Sequence, residues 1–141
     1  MKKTYDKKVN QHYDKVANKQ KKSKFSTMED EYIRDQETDF IINIIKNDKK
    51  KLNILDSGCG NGYTLDQISR LSKKNLLHGM DNNKSLFKIA HKRLSNKANI
   101  VKGDIRIFNK NFKNKFDIVI LQRVLINLLN ESDQKKSLKN I

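Results

Sequence analysis

Three aspartates, each closing a short apolar run, are the residues in this 141-residue chain whose type and placement best suit chemistry. Asp56 ends Ile54-Leu55, Asp81 ends Leu76-Leu77-His78-Gly79-Met80, and Asp104 follows Ile100-Val101-Lys102-Gly103. Directly after the first stands Ser57-Gly58-Cys59-Gly60-Asn61-Gly62, with glycine at every second position. Lacking a β-carbon, glycine lets a loop take unusual backbone angles and lets a ligand touch the main chain. An apolar run, such a loop and a helix after it describe a pocket for a nucleotide. Asp81 lies 23 residues beyond Gly58, close to the spacing of about 20 at which such pockets place an acid that accepts from ribose hydroxyls. Its two oxygens suit the 2′- and 3′-hydroxyls together.

The charge in the loop narrows the ligand. A dinucleotide site sets a doubly negative pyrophosphate at the helix N-terminus and spaces its glycines G-x-G-x-x-G. Here Tyr63 stands at the third of those positions, and Asp56 would add a like charge beside the pyrophosphate in a poorly solvated cleft. A cofactor carrying an ammonium and a sulfonium is attracted instead. The pattern D-x-G-x-G-x-G over 56–62 resembles the cofactor loop of the class I S-adenosylmethionine-dependent methyltransferases, and the resemblance extends over roughly residues 51–130. It implies S-adenosylmethionine as cofactor. It also implies that Asp104 accepts from the adenine amino group while Ile105 packs on the ring, and that Gln122, closing the run 116–122, lies at the pocket floor near the methionine part. The candidate cofactor-binding set is therefore Asp56, Gly58, Cys59, Gly60, Asp81, Asn82, Asp104, Ile105 and Gln122. Taken singly, the glycine loop also reads as a plain turn, and Asp81 and Asp104 as helix caps. Three acids in order with the loop after the first favour the pocket. Cys59 is valued there for its small size, and no metal site is expected.

Periodicity supplies the elements that must hold these residues. The pattern predicts a helix over 28–46, strand 52–56, helix 61–72, strand 76–80, helix 83–95, strands 99–103 and 116–122, and a last helix near 131–140. Alternating strands and helices argue a parallel α/β sheet. The expected fold is Rossmann-like, with helices on both faces and only the first four strands, an incomplete sheet. Right-handed crossovers put the first strand beside the fourth, with the cleft at their carboxyl ends. The crossover 104–115 is short and poor in helix signals.

Residues 1–47 read as an N-terminal basic segment and capping helix, and 48–141 as a partial methyltransferase domain. His12-Tyr13-Asp14-Lys15-Val16-Ala17 resembles the Tyr-Asp-x-x-Ala segment that many small-molecule methyltransferases fold over the cofactor; an unstructured basic tail is the competing reading. Ser26 and Glu29 stand at capping-box spacing, and Ile33, Phe40, Ile41, Ile44 and Ile45 form an apolar stripe expected to pack on the sheet. Arg34 is expected at the surface, its alternative being to face the pocket and hold a carboxylate.

Composition sets the remaining bounds. The formal charge is +15, from 31 basic and 16 acidic residues. Only five of the basic residues are arginine, which disfavours selection for phosphate recognition and favours a solvated lysine surface; Lys15 to Lys24 is the densest candidate for an anionic partner. No run approaches the roughly 18 apolar residues of a membrane span. The start has no apolar core of a secretory signal, so a cytoplasmic location is the default. A single cysteine precludes an internal disulfide.

The family continues with about three more strands, so this chain reads as C-terminally truncated. The resemblance implies an enzyme that transfers a methyl group from S-adenosylmethionine to a small-molecule acceptor, an oxygen of a metabolite or sugar among the candidates. The Gln122-Arg123-Val124-Leu125 run and the absence of proline disfavour enzymes that methylate amino groups of adenine or glutamine. An RNA methyltransferase using the lysine surface and a non-catalytic cofactor-binding fragment are the alternatives. No general base is assigned: His78 falls in a strand, His91 in a helix and His12 in the N-terminal segment.

Overall fold

The computed structural model describes residues 2–24, 29–107 and 115–141. In chain order the elements are α1 (Lys2–Gln20), α2 (Glu31–Asn47), β1 (Asn53–Ser57), α3 (Tyr63–Leu71), β2 (Leu76–Asp81), α4 (Lys84–Leu94), β3 (Asn99–Lys102), β4 (Ile118–Ile120), a 3-10 turn (Leu125–Asn127) and α5 (Glu131–Lys139). The strands form one sheet in the order β3-β2-β1-β4, with all three pairings parallel. As expected, β1 has β4 on one side and β2 on the other. The chain leaves β1 and β4 in opposite directions there, which opens a crevice at their carboxyl ends.

Successive residues of a strand point to opposite faces, and the core divides accordingly. Ile54, Leu77, Ile100 and Ile120 pack with Ile45, Leu65, Ile68, Ala90 and Leu94, so one face is covered by α2, α3 and α4. Leu55, Met80, Val101 and Val119 turn to the other face and meet Ile105, Phe116 and Leu128. Loops make that second layer, and α5 is bound to them: Asn140 donates to the Ile105 carbonyl at 2.9 Å and Gln134 to that of Leu125 at 3.2 Å. Helix α4 begins where the Asn83 side chain accepts from the amides of Ser85 and Leu86, a normal N-cap.

Several expectations are corrected. Residues 2–20 are a 19-residue helix, so the N-terminal segment is not an unstructured tail. Helix α2 starts at Glu31 rather than 28, capped by Asp30, whose carboxylate accepts from the Ile33 amide; Ser26 of the proposed capping box lies outside the described residues. The apolar positions of α2 are two stripes about 100° apart. The inward one runs through Arg34, Thr38, Ile41 and Ile45, while Ile33, Phe40 and Ile44 are 42%, 67% and 50% exposed. Strand β4 covers three residues instead of 116–122 and, among the described residues, has one neighbour in the sheet. Most of the expected crossover, 108–114, lies outside the described residues. Among the described residues no helix is long and apolar enough to cross a membrane.

Candidate active site

The glycine loop is folded back onto the end of β2. Amides of Gly58 and Cys59 donate to the Met80 carbonyl at 2.6 and 3.0 Å. Asp81 completes the attachment: one carboxylate oxygen accepts from the Gly60 amide and the other from that of Asn83, both at 2.8 Å. Asp81 is buried, and burial raises its carboxyl above the usual range while the two amides partly offset this. Gly58 has φ +91°, and a β-carbon there would come within 2.3 Å of the Val124 side chain. Gly62 has φ +77° and sits against Leu94 and Ala90 of α4. Both positions exclude other residues by conformation and by space.

Asp56 and Arg34 form the floor. Asp56 is 2% exposed and, among the described residues, its Oδ1 has no hydrogen-bond partner. Burial pushes its carboxyl up to about 7, against the pull of Arg34 and helped by the charge of Asp81. Arg34, on the inward stripe of α2, is 4% exposed, and among the described residues its Nε also lacks a partner. Its guanidinium lies 5.0 Å from the Tyr63 ring centroid, and burial followed by the nearby Arg123 charge lowers its pKa. Arg34 is therefore a pocket residue and not the expected surface arginine. Both residues line one cavity, and among the described residues each keeps a buried atom unmet, which a protein interior rarely leaves so.

The rim around Asp104 is the reverse. Its Oδ1 accepts from the backbone amide and Nε of Arg106 at 2.9 and 3.0 Å. Its Oδ2 accepts from Nε and NH2 of the same side chain and, at 3.3 Å, from Asn82. Those contacts exhaust the roughly four acceptor sites of a carboxylate. Arg106 also reaches Asp6 of α1 at 2.8 Å and Asp133 of α5 at 3.6 Å. For Asp104 to receive an adenine amino group, a donor of Arg106 has to be displaced.

Gln122 joins the helices behind the floor. It accepts from the Thr64 hydroxyl at 3.1 Å and donates to Glu37 at 2.6 Å. Arg123, with a left-handed φ of +57°, pairs with the same Glu37 oxygen at 3.3 Å. Helix α1 closes the cavity from above through polar contacts. Asn83 donates to Asp14 at 3.0 Å, Ser85 donates to it at 2.7 Å, and Asn127 donates to the Tyr13 hydroxyl at 2.9 Å. Burial raises the Tyr13 phenol, partly offset by the Asn127 hydrogen bond.

All nine residues of the candidate set line this one cavity. Cys59 is buried, its thiol raised by burial and by the charges of Asp56 and Asp81. Reasoning from sequence missed Arg106 and Asn83, and it missed Asn61. The Asn61 side chain is 1% exposed and donates to the carbonyls of Lys21 and Ser23, fixing the end of α1 to the glycine loop. Only Arg34 left a readable signal: a four-residue step to Thr38 on the inward stripe.

Comparisons with known proteins agree with this fold. A family model described as a methyltransferase domain matches residues 54–141. Among solved structures, the chain is similar to a TehB-like SAM-dependent methyltransferase from Corynebacterium glutamicum, at 25% identity and TM-score 0.58 over 73% of this chain and 53% of that one. It is similar to the SAM-bound amino pentose methyltransferase CalS10 from Micromonospora echinaspora, at 20% identity and TM-score 0.60 over 72% and 42%. A third is Haemonchus contortus phosphoethanolamine N-methyltransferase 1, at 16% identity and TM-score 0.72 over 99% and 30%. The chain thus spans about half or less of each of these structures. No curated protein matches it.

Proposed function

We propose that this chain, which belongs to the methyltransferase-domain family, holds S-adenosylmethionine in the cavity at the carboxyl ends of its strands and directs the methyl group to a small acceptor. One observation carries the reading: the buried Asp56 carboxylate and Arg34 guanidinium, each with an unmet atom. The amino-acid end of S-adenosylmethionine brings an ammonium and a carboxylate, the two charges that would satisfy them. A dinucleotide would bring a pyrophosphate, leaving Asp56 facing like charge.

The other residues fit the same ligand. Backbone of Gly58, Cys59 and Gly60 allows close approach. Each Asp81 oxygen accepts one amide, so a second acceptor site on each is left for a ribose hydroxyl, with Asn82 beside it. Ile105, 7% exposed, offers an apolar wall for the base, with Asp104 and Arg106 at its edge. Gln122, held by Thr64 and Glu37, keeps the floor in place. When bound, the sulfonium supplies a methyl group already activated for attack. The task of the chain is then to position donor and acceptor and to exclude water. Within residues 1–47, α1 serves as the cover and α2 supplies Arg34 to the floor, while 48–141 hold the rest of the pocket. A roof that includes Asp6, Asn10 and Tyr13 suits a small acceptor better than a bulky one.

Calorimetric titration with S-adenosylmethionine and with NAD tests this. Binding of the first alone, weakened by Asp81→Ala, is expected. Preference for NAD would overturn the reading.

A further inference from the structure

Lysine is unevenly distributed over the helices. Helix α1 holds six lysines against two acids, and α4 holds three lysines and an arginine with no acid. Helix α2 holds four acids against one arginine and one lysine. A uniform compositional bias toward lysine would load all three alike.

The two basic helices lie side by side and run the same way. Asn10 and Asp14 of α1 meet Asn83 and Ser85 at the start of α4, and the Lys22 carbonyl accepts from Arg93 at its end. Both acids of α1 are turned inward, Asp6 onto Arg106 and Asp14 onto Asn83 and Ser85. The outer surface carries Lys8, Lys15, Lys19 and Lys22 on one ridge, and Lys84, Lys88 and Lys92 on the other, all exposed. Four-residue steps space the α4 ammoniums about 6 Å apart along the axis. Among the described residues none of these seven is in an ion pair, whereas Lys24, Lys97 and Lys135 are paired with acids.

We infer that this α1–α4 face docks the phosphate backbone of a nucleic acid without reading its sequence. Lysine ammoniums act as point charges on phosphate, and such contacts position a strand without identifying its bases. A lipid surface fits less well: membrane-surface helices set aromatic or aliphatic side chains among their charges, and no exposed large apolar residue falls on α1 or α4. The inference needs neither cofactor nor methyl transfer, so it stands or falls apart from the methyltransferase reading.

Fluorescence anisotropy with a labelled 20-nucleotide single-stranded RNA, across salt concentrations, is the test. The K84Q/K88Q/K92Q variant is compared with K46Q/K49Q/K50Q, which removes equal charge beside α2. The first is expected to bind about 100-fold more weakly at 0.1 M salt, with a log–log salt slope shallower by about two. The second should stay within about twofold of the parent, and DNA of the same sequence should behave like RNA. Equal weakening in both variants, or no RNA binding by the parent at 0.05 M salt, overturns the inference. So does tighter binding to phosphatidylserine vesicles that is lost in the α4 variant. Circular dichroism of both variants removes misfolding as an explanation.

Discussion

Asp56 and Asp104 are the same residue type at the ends of β1 and β3, with β2 between them, yet the pocket treats them in opposite ways. At the floor, Asp56 and Arg34 are buried and each keeps an atom without a partner. At the rim, Asp104 is wrapped by Arg106, which also holds α1 and α5. Unmet buried charge is destabilising unless a ligand supplies the partner. Saturated charge holds structure together and leaves a ligand little to gain. On the function proposed above, the floor takes a ligand's charges and the rim holds its cover.

Replacing Arg34 sets floor against rim most sharply. Removing one partner of a buried charge pair costs on the order of 2–5 kcal/mol of binding, so Arg34→Met is expected to weaken S-adenosylmethionine at least about 30-fold by calorimetry. The unliganded protein should melt at the same or a higher temperature, because an uncompensated buried cation is gone. A lower melting temperature with unchanged affinity would make Arg34 structural and erase the contrast.

Asp81 lies between the two cases, since it is buried and already accepts two amides. In Asp81→Asn one of those amides would face an NH2 group, and an unsatisfied buried donor costs about 1–3 kcal/mol. Affinity should fall by about tenfold or more, and here the melting temperature should fall with it. Stability moving opposite ways in the Arg34 and Asp81 variants, followed by thermal denaturation, is the signature expected.

Legibility in the sequence follows the same division. Strand ends and the glycine loop were readable because apolar runs and alternating glycines are local patterns, and parallel pairing of β1 with β4 followed from handedness. The nine residues assigned to the pocket from those elements all line the cavity, and Ser57, Met80 and Gly103 line it beside them. Arg34 was misjudged because five apolar residues of α2 were read as one stripe, when the helix carries two. Arg106 and Asn61 hold α1 and the turn after it through Asp6 and the Lys21 carbonyl, 100 and 40 residues away in sequence. No local pattern reports such a partner. Helix α1 itself has few apolar residues and docks by polar contacts, so periodicity had little to find.

A pH series sharpens the floor further. Asp56 is raised by burial to about 7 from an ordinary 3.8, so the folded state holds a proton that the unfolded state has lost. The contribution of Asp56 to stability is therefore best below about pH 4, declines as pH rises toward 7, and is level above it. A ligand ammonium needs the carboxylate charged, so affinity should fall up to tenfold per pH unit below 7. Binding should release close to one proton at pH 6 and almost none at pH 8, read from calorimetry in buffers of differing ionisation enthalpy. Asp56→Asn should abolish that proton release.

The smallest expected effect tests the rim. The Asp6–Arg106 pair is partly exposed, at 31% and 16% of the side chains, and pairs of that kind contribute about 0.2–1 kcal/mol. A double-mutant cycle of D6N and R106Q, with cofactor release and tryptic cleavage of α1 as readouts, should give a coupling in that range. Each single variant should speed both processes a few-fold. Asp104→Asn should likewise cost affinity less than about fivefold, because its carboxylate serves Arg106 first. If instead it weakens the cofactor as much as Arg34→Met does, Arg106 swings aside on binding and Asp104 is a ligand of the adenine. The rim would then be a second floor that closes over its own charge when empty.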